Sequence, residues 1–152
     1  MNVLAEFKKV TTFIFDVDGV LTDSTVFCLE NGVQARRMNI KDGLGLQMAM
    51  KNGFGVLAIS GSQSVQVMQR LQKLGLTEVH MGITDKKEFV AGYIEKKKLD
   101  WDEILYMADD LPDLELMRSV GLPCCPADAV PEILESSKYI SPPTVGTPKQ
   151  FP

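Results

Sequence analysis

The chain has 152 residues, a single-domain length, and its 45% apolar and 24% charged content is that of an ordinary water-soluble globular protein. Its net charge of −4 argues against nucleic acid or an anionic membrane surface as partner. No apolar stretch approaches the roughly 20 residues of a membrane helix, and the opening MNVLAEFKKV is too short and too charged for a secretion signal. The three cysteines, Cys28, Cys124 and Cys125, have neither a disulfide framework's even count nor zinc spacing. They read as buried small apolar residues in a reducing cytoplasm.

Thr11–Asp23 reads TTFIFDVDGVLTD. Phe13–Phe15 is an apolar run with β character. Asp16 and Asp18 follow, two residues apart, a spacing that points both carboxylates to one side of an extended chain. Gly19 then lets the backbone turn. Two buried acids this close repel. A helix cap or a solvated turn is the plainer alternative; a cation holding the pair, with one acid doing chemistry, is the reading preferred here.

Ser24–Met38 carries Asn31-Gly32 between two β-prone runs, the strongest short hairpin signal. An isolated hairpin is marginal in water, so this one should pack on something, another subunit included. Asp42 is expected to cap a helix running through Asn52, with Leu44, Met48 and Leu46 as candidates to face inward, and Gly53 to end it. Phe54–Ile59 reads as a strand covered on both faces. It is followed by a helix with Val65, Met68, Leu71 and Leu74 on one side. A short strand over Glu78–Met81 precedes Asp85, which with Glu88 forms a capping box for a helix to about Lys98. Ile104–Ala108 is the next strand, Leu111–Val120 a helix, and Leu122–Cys125 another strand. Pro131 opens a last helix, Tyr139-Ile140 is a candidate edge strand, and residues 141–152 are tail.

Strands alternating with helices predict an α/β fold, a three-layer Rossmann-like parallel sheet with a hairpin insertion (about residues 24–38) and no large cap domain. Residues 1–140 form that one domain. Ligands bind beyond the carboxyl ends of such strands, and Asp16, Asp18, Ser60 and Asp109 all fall there.

DxDGVLTD after an apolar strand resembles the first motif of the haloacid dehalogenase superfamily of phosphohydrolases. The resemblance extends to Asn39–Gly45 (NIKDGLG), Ser60–Gly61, Asp85–Lys86 and Ala108–Asp113 (ADDLPD). Order and spacing are most similar to the small phosphatases acting on 3-deoxy-D-manno-octulosonate 8-phosphate, with nine-carbon sugar acid phosphates (a sialic-acid-type 9-phosphate) as the alternative substrate. The resemblance implies Asp16 as nucleophile, forming an aspartyl-phosphate, and Asp18 as acid–base. Mg²⁺ is the expected ion, held by Asp16, the Asp18 carbonyl and Asp109, with Asp110 and Asp113 orienting waters or lysine. For Asp113 a helix-terminal charge is an equal alternative.

Ser60 is expected to hydrogen-bond a phosphate oxygen beside Gly61, although a serine there can also be a helix cap, as can Ser62. Lys86 matches the family's phosphate-binding lysine and would offset the charge of Asp16 and substrate. Gly43 and Gly45 let the backbone lie near the site and are substrate-binding candidates. Arg36 and Arg37 either reach a sugar carboxylate or decorate the hairpin. His80, Trp101 and the methionines read as structural.

The chain departs from the family at Ser62, where an arginine is usual, at Ala108, where glycine is usual, and in its tail. The small hairpin-insert members are tetramers in which hairpin and tail cover a neighbour's site, which implies a homo-oligomer here. A receiver-like signalling domain and an inactive binding subunit are the competing functional classes; Asp18 speaks against the first and the intact acids against the second.

Overall fold

The strand that carries Asp16 lies at the centre of the sheet. In the computed structural model, which describes residues 2–142, a short helix that the sequence pattern did not announce, α1 (Val3–Phe7), precedes β1 (Thr12–Asp16). The hairpin strands β2 (Phe27–Cys28) and β3 (Gln34–Ala35) come next, then α2 (Ile40–Lys51), β4 (Gly55–Ile59), α3 (Val65–Lys73) and β5 (Glu78–His80). The second half runs α4 (Lys86–Lys97), β6 (Ile104–Met107), α5 (Leu114–Ser119), β7 (Leu122–Pro126), α6 (Pro131–Ser136) and β8 (Tyr139–Ser141). Six strands form one sheet in the order β5-β4-β1-β6-β7-β8, every pairing parallel, and β2–β3 pair antiparallel apart from it. This is the α/β architecture expected, with no large cap among the described residues.

Alternation along the strands builds two cores. Phe15, Val56 and Ala58 pack with Leu46 of α2 and Val67 and Leu71 of α3. Ile14, Leu57 and Ile59 face the other way, onto Val90 and Ile94 of α4, Leu116 and Met117 of α5, and Ile133 of α6. Register does the rest: Asp16 lies opposite Ile59 and Phe15 opposite Met107. The residues just past those ends, Ser60 and Asp109, therefore emerge at the same edge as Asp16.

Several local expectations are corrected. Asn39, not Asp42, caps α2, its Oδ1 accepting the Lys41 N–H at 2.8 Å; Asp42 sits buried in the first turn. Leu46 is buried, but Leu44 and Met48 are 60% and 54% exposed, in line with Ile40 at 80%. The helix packs on its Asp42–Gly43–Leu46 side instead, because Gly43 permits close approach: a Cβ there would lie 3.1 Å from Leu74 Cδ2. Ser64 caps α3, so neither Ser60 nor Ser62 does, and Val67 rather than Val65 is buried. Pro112 splits the Leu111–Val120 helix into a 3₁₀ turn and α5. Ser141, expected in the tail, is buried in β8; Gly146 and Lys149 lie outside the described residues. Cys124 and Cys125 are buried as expected, whereas Cys28 is exposed, β2 pairing only with β3 among the described residues.

Candidate active site

Beyond Asp16 the chain does not continue as strand. It makes a five-residue turn over Val17–Leu21, closed by the Thr22 N–H on the Val17 carbonyl at 3.1 Å, with Gly19 at φ +89°. The turn brings Asp18 back over the edge of the sheet. There a cleft of about 490 Å³ is lined by Asp16, Asp18, Ser60, Gly61, Lys86 and Asp109, with Asp110 and Asp113 beside them. Eight of the residues expected in the site are thus brought together.

Asp16 Oδ1 accepts the Val17 N–H and a Lys86 Nζ–H, both at 2.8 Å. Lys86 stands at the first turn of α4, behind the Asp85 cap, and its other carboxylate partner is Asp113 Oδ1 at 2.9 Å. Burial pushes the Asp16 carboxyl up to about 7, since Lys86 only partly offsets it and Asp113 adds to it. Burial alone would lower Lys86, but the charges of Asp16 and Asp113 outweigh it and hold the ammonium above its ordinary range. Tyr106 lies fully buried beneath, its phenol raised by burial and then by Asp113 and Asp16. Asp113 therefore orients the lysine from inside the core. Asp110 is exposed and caps its own turn, accepting the Leu111 N–H at 2.8 Å.

Asp18 is held from two sides. Arg36 Nε donates to its Oδ1 at 2.7 Å and Ser62 Oγ to its Oδ2 at 3.0 Å, while Ser62 and Ser60 share a hydrogen bond of 2.9 Å. Arg36 is no hairpin decoration: its side chain is only 5% exposed. The Thr22–Met38 bridge and the Arg37–Asp23 ion pair pin the base of the hairpin beside it. Gly43 is corrected; it lies against Leu74 and Arg70 of the α3 end and does not line the cleft.

Asp109 lies against the backbone of Gly19, so close that a Cβ on Gly19 would sit 1.9 Å from Asp109 Oδ2. Ser24 Oγ reaches the same carboxylate at 3.3 Å. Among the described residues no three His, Cys, Asp or Glu side chains form a metal-holding group. The groups in the cleft that could hold an ion are the carboxylates of Asp16 and Asp109, with the Asp18 carbonyl as the further oxygen expected from the sequence; an all-oxygen set of this kind would suit a hard cation that keeps several waters.

Sequence reasoning missed three residues of this site. Ser62 was visible as a replaced arginine and a helix-cap candidate, Ser24 only as the residue after the first motif, and Tyr106 gave no signal within an apolar strand.

No known family profile matches the chain. It is 31% identical over 140 residues to the 3-deoxy-D-manno-octulosonate 8-phosphate phosphatase of Escherichia coli, covering 92% of this chain and 74% of that protein. The crystal structure of the Moraxella catarrhalis phosphatase of the same name, with magnesium, phosphate and its sugar acid, superposes with a TM-score of 0.88 at 29% identity. That match covers 91% of this chain and 80% of the other. A cobalt-bound Haemophilus influenzae phosphatase gives 0.84 at 26% identity, over 89% and 79%. With the fold, the ordered motifs and these likenesses in agreement, the chain belongs to the 3-deoxy-D-manno-octulosonate 8-phosphate phosphatase family of the haloacid dehalogenase superfamily and is a phosphatase.

Proposed function

We infer that the protein is a Mg²⁺-dependent phosphomonoesterase for a small sugar acid phosphate of the 3-deoxy-D-manno-octulosonate 8-phosphate type. One observation carries this reading: Asp16, at the end of the central strand, shares a cleft with Asp18, Asp109 and a lysine 2.8 Å from its carboxylate. Both hydrogen bonds to Asp16 fall on Oδ1. Oδ2 is then the oxygen that attacks phosphorus. The Asp16–phosphorus bond forms as the ester bond breaks, and Asp18 gives its proton to the departing alcohol. Asp18 next takes a proton from the attacking water, which splits the aspartyl-phosphate and frees phosphate. Arg36 and Ser62 fix the direction of Asp18. Lys86 offsets the charge of Asp16, and Ser60 with the Gly61 N–H receives phosphate oxygens. A bound Mg²⁺, held by Asp16, Asp109 and the Asp18 carbonyl, supplies charge neutralisation on the phosphate oxygens.

A Mg²⁺-supplemented phosphate-release screen over eight- and nine-carbon sugar acid phosphates, neutral sugar phosphates and nucleotides tests the substrate class. The highest kcat/KM should fall on a sugar acid phosphate. A preference for nucleotides or neutral sugars would overturn the assignment.

The cation has a test of its own. The unfolded chain releases the Asp16 proton near pH 4, whereas the native protein keeps it up to about 7. The native state then binds the extra proton, so without a cation stability falls as pH rises from about 4 to 7 and levels off above. Mg²⁺ needs the ionised carboxylate, so its stabilising effect should grow across that window. Tm in EDTA and in Mg²⁺, measured from pH 5 to 8, gives the comparison. A Tm gain independent of pH would remove Asp16 from the ligand set.

A homo-oligomer, tetramer first, also belongs to this reading. Ile40, Leu44 and Met48 form an exposed apolar stripe on α2, and Phe27 and Leu29 are exposed on the hairpin. Light scattering should give a multiple of the 16.8 kDa chain mass; a monomeric mass would refute the assembly.

A further inference from the structure

A second cavity, of about 310 Å³, lies between the hairpin and the start of α3, and the catalytic scheme above does not use it. Two guanidinium groups line it, Arg36 from the hairpin and Arg70 from α3, with Gln34, Ser64 and Gln66. None of the described residues lining it is an acid. Arg36 Nη1 is buried without a hydrogen-bond partner, on a side chain 5% exposed. A buried charged donor without an acceptor is costly, so its persistence points to a group that arrives from outside. Arg70 makes no ion pair among the described residues. Ser64 is the N-cap and Gln66 lies in the first turn of the nine-residue helix α3, whose N-terminal dipole favours negative charge.

We propose that this cavity binds a small anion bearing a carboxylate or phosphate group, seated between Arg36 and Arg70 at the N-terminus of α3. The size suits a compact ligand, at the lower end of small-molecule sites. Arg36 joins this site to the cleft, because the same guanidinium holds Asp18 at 2.7 Å.

The probes are malonate and inorganic phosphate, titrated calorimetrically into the full chain in EDTA, with potassium chloride at equal ionic strength as the blank. One anion per chain should bind, and malonate without phosphate, or the reverse, identifies the preferred group. Arg70→Gln should weaken binding about tenfold or more, and Arg70→Lys should restore part of it. Because Arg70 also packs against α2, Gln66→Glu gives a second test: it adds an acid at an exposed position of the cavity and should abolish binding. No binding of either anion up to roughly 10 mM, or binding unmoved by both substitutions, would overturn the site.

Discussion

Asp16→Asn is expected to lower phosphate release by about 10⁴-fold or more, with no loss of folding. An amide oxygen does not attack phosphorus as a carboxylate does, and the acyl-phosphate cannot form. The substitution removes a charge that burial disfavours, and it leaves Lys86 paired with Asp113 at 2.9 Å. Tm in EDTA should therefore hold or rise, while the Mg²⁺-dependent gain shrinks because one carboxylate ligand is gone. Steady-state phosphate release and a thermal melt of one preparation separate the two effects. Undiminished turnover would take the nucleophile's role from Asp16; a collapsed melt would make its role structural.

Gly19→Ala should be the most damaging change outside the acids. At φ +89° an alanine is strained, at a cost of about 1–3 kcal/mol. Its Cβ would also sit 1.9 Å from Asp109 Oδ2, inside any permitted contact, so the carboxylate must move. Half-saturation by Mg²⁺ should rise about tenfold or more. Gly32→Ala separates strain from displacement: φ is +83° there, but nothing lies within 4 Å of the new Cβ. That variant should lose a little stability and keep its Mg²⁺ dependence. Equal Mg²⁺ dependence in the two variants would show that Asp109 does not hold the ion.

The Gly19 contact also explains the glycine of the first motif. Only a residue without a side chain lets Asp109, arriving from β6, lie against the turn that follows β1. The turn thus links two strands' ends into one site, although the residues are 90 positions apart. Lys86 comes from a third place, the first turn of α4.

Position 62 shows how a departure from a family pattern can be read in two ways. In sequence it is a missing arginine. In the structure Ser62 Oγ bonds Asp18, and a guanidinium reaches the same carboxylate from the hairpin, at Arg36. The hairpin is accordingly tied to the acid–base candidate through Arg36.

Much of this was already legible in the chain of letters. Apolar runs of strand length ending in Asp16, Ser60 and Asp109 place those residues at one edge, since parallel strands separated by helices must all point the same way. Strand positions and most helices follow from local periodicity, which needs no partner to be read. What the folded chain alone decided are the pairings across distance. Amphipathic spacing in α2 offers Leu44, Met48 and Leu46 as inward candidates but not which side is covered; with Gly43 allowing α3 to approach, Leu46 is buried and Leu44 and Met48 face outward beside Ile40. The same holds for Arg36, whose place beside Asp18 depends on how the hairpin closes, and for Tyr106, an ordinary strand residue until Asp113 is brought over it. Local propensity depends on neighbours in sequence, whereas charge pairing and burial depend on neighbours in space, and only tertiary packing supplies those.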